Sequence, residues 1–575
     1  MDISPAETSL SPPAEHAPLS LFLDIFGYLA VVLRGLSLLA QSFTIGGIAF
    51  QVLLWRPLQV KLSADSISVD GRCQGFLRVS AFAWAVLIIS SLCINAAALT
   101  GTVGVSWSEA VTADFAKSEF AVAACALCIA LLAKDLRSDK ESWTGWRSAA
   151  LVAIALLALT IGLKLTHAAS RVDARWPLLL SDALHMLGAG VWIGGLPYFL
   201  IALNGCRAVR DWRLIARRYS LMSMASVTAI VIGGSVMAVT YLGSTEALYG
   251  TAYGVMTSAK VVLLLMLLAL GGFNYLAVER LRRDPTAPVV RLKRFVEVEI
   301  GIGLTVLLAA GSLTSLPPGV DLNQDRLSWQ EIVERATPQW PPRLISPSHD
   351  RLTISLLQAK VEAAEGQRVR APQAYVPGEG VILPRNAEDI AWSEYNHHWA
   401  GIFVLLIGLL AIVEHFRWGR WARHWPLLFL GMAALLFFRA DEQVWPLGPI
   451  GFFASLRDPE VAQHRVFELL IVLFGLFEWR VRLRGQAAGR AALVFPLTAA
   501  LGGALLFTHS HAIGNVKDQL LIEMSHTPLA LCGLTVGWAR WVELRLDGRT
   551  RQIASWVWPV AFVLVALILL EYREA

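Results

Sequence analysis

Eight residues late in the chain have the types and spacing to do metal chemistry. His397 and His398 lie together in SEYNHHWAG, and His464 precedes Glu468 in HRVFE. His509 and His511 stand in THSHAIGN, and Glu523 and His526 in EMSH. Imidazole suits copper, zinc and iron, and a nearby carboxylate favours a cation. His464 and Glu468 share a helix face at i and i+4, as do Glu523 and His526 at i and i+3. His-x-His puts its rings on opposite helix faces, so His509 and His511 reach one site only if the chain leaves the helix there. Gly514-Asn515 is consistent with such an exit. The competing reading is a set of hydrogen-bonded structural histidines.

A second constellation lies earlier. His167, Asp182 and His185 flank a Gly-rich run of Gly188, Gly190, Gly194 and Gly195. Ionisable residues inside a membrane are expensive and point to function, whereas small residues permit close helix approach. The plainer reading is a packing helix with one His–Asp hydrogen bond. Cys125 and Cys128 share a helix face and would suit soft Cu(I), although buried cysteine commonly acts as a small hydrophobe. Arg34 and Lys260 are expected to snorkel or pair with a carboxylate.

The elements that must position these groups are membrane helices. Of the 575 residues 55% are hydrophobic and only 16% charged, with 21 Trp and 24 Phe. Soluble domains carry about 25% charged residues. About 20 apolar residues span a bilayer core as a helix. Fourteen runs qualify, near 33–54, 79–99, 115–133, 148–168, 178–203, 219–242, 255–277, 295–316, 398–415, 425–439, 465–479, 491–508, 525–541 and 553–571. The runs at 425–439 and 465–479 are short. The prelude 21–33 has no basic start and no small-residue cleavage site, so it is read as retained rather than as a signal peptide.

Placing the N-terminus outside puts thirty of the 49 Lys and Arg residues on the seven inward loops. Excess Lys and Arg mark cytoplasmic loops, so both termini are expected on the periplasmic side. Ten of the twelve histidines then fall outside or at outward helix ends, leaving only His415 and His424 inward. The fold class is all-α, a polytopic membrane helix bundle of about 14 transmembrane helices. The divisions are a periplasmic tail (1–20), an eight-helix domain (21–316), a periplasmic loop or small cap (317–396) and a six-helix domain (397–575). The loop contains the Pro-rich stretch PQWPPRLISPS and is too long for a plain connector.

Other classes are disfavoured. A net charge of +5 over this length offers no basic face for nucleic acid. Six cysteines do not make a disulfide framework. There is no GxxxxGK[ST] motif for nucleotide-driven pumping and no HExxH. A C-x-x-C-H motif is also missing, so any haem would be non-covalent.

The stretch DALHMLGAGVWIGGLPYFLIAL, with His185, Trp192, Gly194 and Gly195, resembles the signature helix of the copper resistance protein D (CopD) family. The region 20–316 is similar to the membrane domain of that family, and the second half resembles the C-terminal extension of its longer proteobacterial members. The resemblance implies a multi-pass protein of the bacterial cell inner membrane that handles copper and moves it, rather than an enzyme. It implies copper ion and the lipid bilayer as partners, with a periplasmic copper chaperone as a further one. The assignment of histidines stays with the residues themselves. His397, His398, His464, His509, His511 and His526, with Glu468 and Glu523, form the expected outward copper site. His167, Asp182 and His185 form a second. Two alternatives stay open: a membrane cytochrome with a haem b on the outward side, and a scaffold for assembling a copper enzyme.

Overall fold

The computed structural model describes residues 17–63, 66–133, 145–284, 289–365, 385–508 and 516–573. The long helices are α1 (Ala17–Ala49), α2 (Ser66–Val103), α3 (Asp114–Leu132), α4 (Gly145–Gly162), α5 (Arg175–Trp192), α6 (Val209–Leu242), α7 (Ala252–Arg283) and α8 (Val290–Leu313). After a long connection come α9 (Ala387–Val413), α10 (Leu428–Arg439), α11 (Pro459–Arg484), α12 (Val494–Leu506), α13 (Val516–Arg545) and α14 (Gly548–Leu570). Among the described residues there is no strand, only an isolated bridge between Val444 and Ile450. In a bilayer only internally bonded backbone survives, and helices satisfy that demand.

Every apolar run of the sequence corresponds to one of these helices. Among the described residues, thirteen helical segments are long and apolar enough to cross a membrane. The exception is α11, which contains the run 465–479. It is 26 residues long, about 39 Å at 1.5 Å per residue. It also carries Glu460, His464, Arg465, Glu468, Glu478, Arg480, Arg482 and Arg484. The protein is thus a multi-pass helical membrane protein with one strongly charged long helix.

Local chemistry sets several boundaries. Asn386 and Asp389 form a reciprocal cap on α9, and the Asp458 carboxylate accepts from the backbone N–H groups of Glu460 and Val461 at the start of α11. Such caps contribute about 1 kcal/mol each. α6 ends on Gly243 at φ +69°, the left-handed conformation glycine adopts most easily.

In the first half α1 packs on α2 and α8, α2 on α3, α5 on α6, and α7 on α8. The Trp192-x-Gly194-Gly195 turn lies against the backbone of α1. A Cβ on Gly194 would collide with the Ser42 carbonyl, and one on Gly46 with the Gly194 backbone. The glycines are therefore a requirement of backbone contact. In the second half α9 packs on α14, and α13 on both α12 and α14. A core of Trp425, Phe429, Phe495, Trp558 and Phe562 fills the space between them.

The halves meet at α13, which packs on α7 and α8. The Trp538 ring occupies the space a side chain at Gly301 would need. The Trp541 indole donates to Glu297 at 3.1 Å. One buried cluster runs through both halves, from Leu178 and Met256 to Leu534 and Trp541.

The connection after α8 is an ordered strap over one end of the bundle where it is described. It contains short helices at Trp329–Ala336 and Thr353–Glu365. Arg171 forms a forked ion pair with Asp321, and Arg573 donates to the Glu334 carbonyl at 2.9 Å. Leu327 and Ile332 pack on Leu520 of α13, and Leu352 and Ile354 on Trp392 of α9. The strap thereby touches both halves at the end where the histidines concentrate.

Candidate functional site

The starts of α9 and α13 bring three of the expected ligands to one place, the penultimate stretch of the chain. The His397 ring stacks on Tyr572 with centroids 3.7 Å apart. His526 meets the same ring edge-on at 6.3 Å. The Nε2 of His398 lies 3.0 Å from the Tyr572 carbonyl. Helical geometry explains the first two orientations, since each Nδ1 turns back to a carbonyl four residues earlier. His397 bonds to Ser393 at 2.8 Å and His526 to Ile522 at 3.0 Å. The Nδ1 of His398 accepts from the Arg343 N–H of the strap at 2.8 Å. His398 is buried, with both ring nitrogens engaged by backbone.

His464 goes elsewhere. Its Nδ1 sits 2.8 Å from Asp441, in the turn between α10 and α11. Arg465 joins Asp441 at 3.6 Å and Glu468 at 2.7 Å, and its guanidinium lies over Phe437. Glu468 thus serves an arginine. Glu523 accepts from the Thr527 hydroxyl at 3.4 Å. His509 and His511 lie outside the described residues. Beside Asp441, the carboxyl of Glu442 is pushed up to about 7, chiefly by burial and further by Asp441, Asp389 and Glu460.

In the first half, His167 Nε2 donates to the Thr314 carbonyl, 3.0 Å away, and the ring lies edge-on to Tyr241. His185 contacts the Ile230 carbonyl through Nδ1 at 3.2 Å. Asp182 has Arg34, Lys260 and His167 in electrostatic reach. The two cations expected to pair with a carboxylate therefore face the same one. Cys125 is half-buried and Cys128 exposed on α3, and both are free thiols. Among the described residues, no group of three or more His, Cys, Asp or Glu side chains is arranged to hold a metal ion.

Two buried polar groupings escaped the sequence reading. At the far end of α11, Glu478 accepts from Arg482 at 2.8 Å and from Arg540 at 2.7 Å. Arg482 also reaches Glu414 at 3.0 Å, and Arg540 reaches Glu543 at 2.7 Å. Arg482 lies over Trp425 and Trp558, each 5.4 Å from its ring centre. The buried charges on α11 are thus paired both along the helix and with neighbouring elements. The other is Glu299 of α8, 3% exposed, which accepts from the Asn274 amide of α7 at 2.8 Å. Its signal was in the sequence, an acid inside the apolar run VEVEIGIGL.

These features define the class, an all-helical multi-pass membrane protein with an ordered strap over its histidine-bearing end. Residues 213–313, covering most of α6 and all of α7 and α8, match the family model described as Copper resistance protein D. This segment, under a fifth of the chain, is what resembles that family. The chain is also 27% identical over 190 residues to the copper transport protein CutJ of Bacillus subtilis (strain 168). That alignment covers 32% of this chain and spans about a third, 33%, of the relative's length. No solved structure matches. The Trp192-x-Gly194-Gly195 turn stands before that segment, packs on α1 at Ser42, and touches the segment where Ile193 meets Gly303.

Proposed function

We propose that this protein binds copper at the strap end and moves it across the bacterial inner membrane, as a transporter and not as an enzyme. The observation that carries this reading is the copper resistance protein D match over α6–α8. The name of the similar protein, copper transport protein CutJ, supports the same cargo. The excess of Lys and Arg on the opposite loops supports a periplasmic strap end and both termini outside. Copper is the substrate here, so its ligands must release it as well as hold it.

His397 and His526 are the residues we assign to loading. They flank one ring on two different helices, with Glu523 one turn from His526 on the same face. Imidazole binds either copper oxidation state adequately. His509 and His511 belong to the same proposed set by their place in the sequence. The exposed acids Glu109 and Asp114 would raise cation concentration at that face. A periplasmic chaperone delivering copper would dock on the same face. His167, Asp182 and His185 would form a second station, with Arg34 and Lys260 opposing cation entry until Asp182 is engaged.

Two measurements test this. Cells expressing the protein should show changed copper content by mass spectrometry relative to cells lacking it. Purified protein loaded with copper and desalted should retain less metal after the paired change His397→Ala and His526→Ala. Unchanged cellular copper sinks the transport reading, and unchanged retention sinks the ligand assignment.

A further inference from the structure

Between α6 and α7 lies a half-open cavity of about 520 Å³, backed by α8. Ligand pockets for small organic molecules run about 300–1,000 Å³. Its wall is mostly apolar and aromatic, with Trp192, Phe199, Tyr219 and Tyr275 among its lining residues. Phe199 and Tyr219 stack with centroids 4.3 Å apart. The Tyr219 hydroxyl donates to the Trp192 carbonyl at 2.6 Å, which leaves the ring as wall rather than as a polar contact.

Two buried acceptors line the cavity. Glu299 is 3% exposed and takes one hydrogen bond from Asn274. Asn274 is 8% exposed, and its Oδ1 is buried with no hydrogen-bond partner among the described residues. Among the described residues, no Lys, Arg or His lines the cavity. A carboxylate away from water without a cation is costly, as is an unpaired carbonyl. Both needs are met by one kind of ligand, a positively charged donor. Aromatic faces attract cations and recur around ammonium ligands.

The backbone makes room for it. Gly271 and Gly272 of α7 line the cavity. A Cβ on Gly271 would meet only the Glu299 Oε1, at 3.7 Å, and one on Gly272 would meet nothing within 4 Å. The mouth lies among residues of lipid-facing character. Met224 and Tyr275 line the cavity and are 49% and 50% exposed, and Leu221, Phe273 and Leu276 are exposed beside them.

From the unneutralised acid, the orphaned carbonyl and the aromatic wall, we infer that this cavity is a binding site for an organic ammonium ion carrying an apolar body, entering from the bilayer. Glu299 neutralises the charge, the Asn274 carbonyl accepts a second N–H, and the aromatic wall covers the apolar part. The site is separate from the copper-loading residues, and its test is independent of copper transport.

The test uses full-length protein in nanodiscs of phosphatidylcholine, with binding to empty discs subtracted. The probe is 4-phenylbutylammonium, compared with the neutral 4-phenylbutanol, by equilibrium dialysis. The ammonium should bind at least about tenfold more tightly than the alcohol, as expected for a charge-assisted contact. Glu299→Gln should remove that preference and leave alcohol binding unchanged. Gly271→Leu fills the cavity, favours the helix and leaves Glu299 in place, and should abolish binding of both probes. Phe273→Ala, on the lipid face, should change neither. Equal affinity for the two probes in the unaltered protein would assign the cavity to lipid chains and overturn the site. So would an ammonium preference that survives Glu299→Gln. If that variant does not fold, Gly271→Leu decides alone: lost ammonium binding supports the site, and retained binding overturns it.

Discussion

The two halves treat buried charge in opposite ways. In the second half nearly every buried charge is locked to a partner. Arg482, Arg540, Glu414, Glu478 and Glu543 form one network at one end of α11. Asp441, His464, Arg465 and Glu468 form another at the other end. In the first half the buried groups are sparse and unevenly matched. Asp182 faces two cations, and Glu299 has an amide and an open cavity. Closed networks hold helices together, whereas open ones leave capacity for something that comes and goes. The half richer in histidine is thus the more closed, and the half that matches the family model is the more open.

The largest effect that tests this contrast is removal of a network hub. Arg540→Leu leaves Glu478 and Glu543 without their shared cation. Breaking a buried pair from one side costs about 3–5 kcal/mol. A marked fall in the thermal unfolding temperature in detergent is expected, and a change below two degrees would show that the network is not load-sharing. Next comes the seam between the halves. Gly301→Leu drives a side chain into the Trp538 ring and should cost about 1–3 kcal/mol by overpacking. Limited proteolysis in the strap should rise with it, because the strap bridges both halves.

A smaller effect separates His398 from its neighbour. His398→Ala removes a side chain bonded to Arg343 and Tyr572, costing about 1–3 kcal/mol, while His397→Ala should be nearer neutral in stability. Copper retention should show the reverse order, with His397→Ala losing more metal. Equal losses from both would break the distinction between strap anchor and ligand.

The smallest effect is one of pH. The Glu442 carboxyl stands near 7 in the folded protein, mainly through burial, and near the ordinary value of about 4.3 in the unfolded chain. The folded state then holds more protons between those values, so stability falls as pH rises through that window. Glu442→Gln should flatten the stability profile there. An unchanged slope would show that Glu442 is solvated.

Much of the architecture was legible in residue types alone. The apolar runs all became helices, because burial in lipid depends on composition along about 20 consecutive residues. α11 shows the edge of that rule. Its short apolar stretch was found, yet its charges belong to a different logic, neutralisation by Glu414, Asp441 and Arg540 on neighbouring elements. The convergence of His397 and His526 was foreshadowed by their common level in the membrane. The diversion of His464 to Asp441 and of His398 to the strap was not, because both partners lie in connections whose course no periodicity records. The connection after α8 was expected as a loop or a small cap, and its described residues pack on Leu520 and Trp392.

By itself the sequence determined the number and positions of the long helices and the uneven placement of Lys, Arg and His. These follow from hydropathy and charge, which each short segment carries on its own. Only the tertiary structure decided which of those residues meet. Trp541 and Glu297 touch across 244 positions, and Arg540 and Glu478 across 62. Such partners are chosen by how helices pack, and packing is a property of pairs of surfaces that no single segment contains.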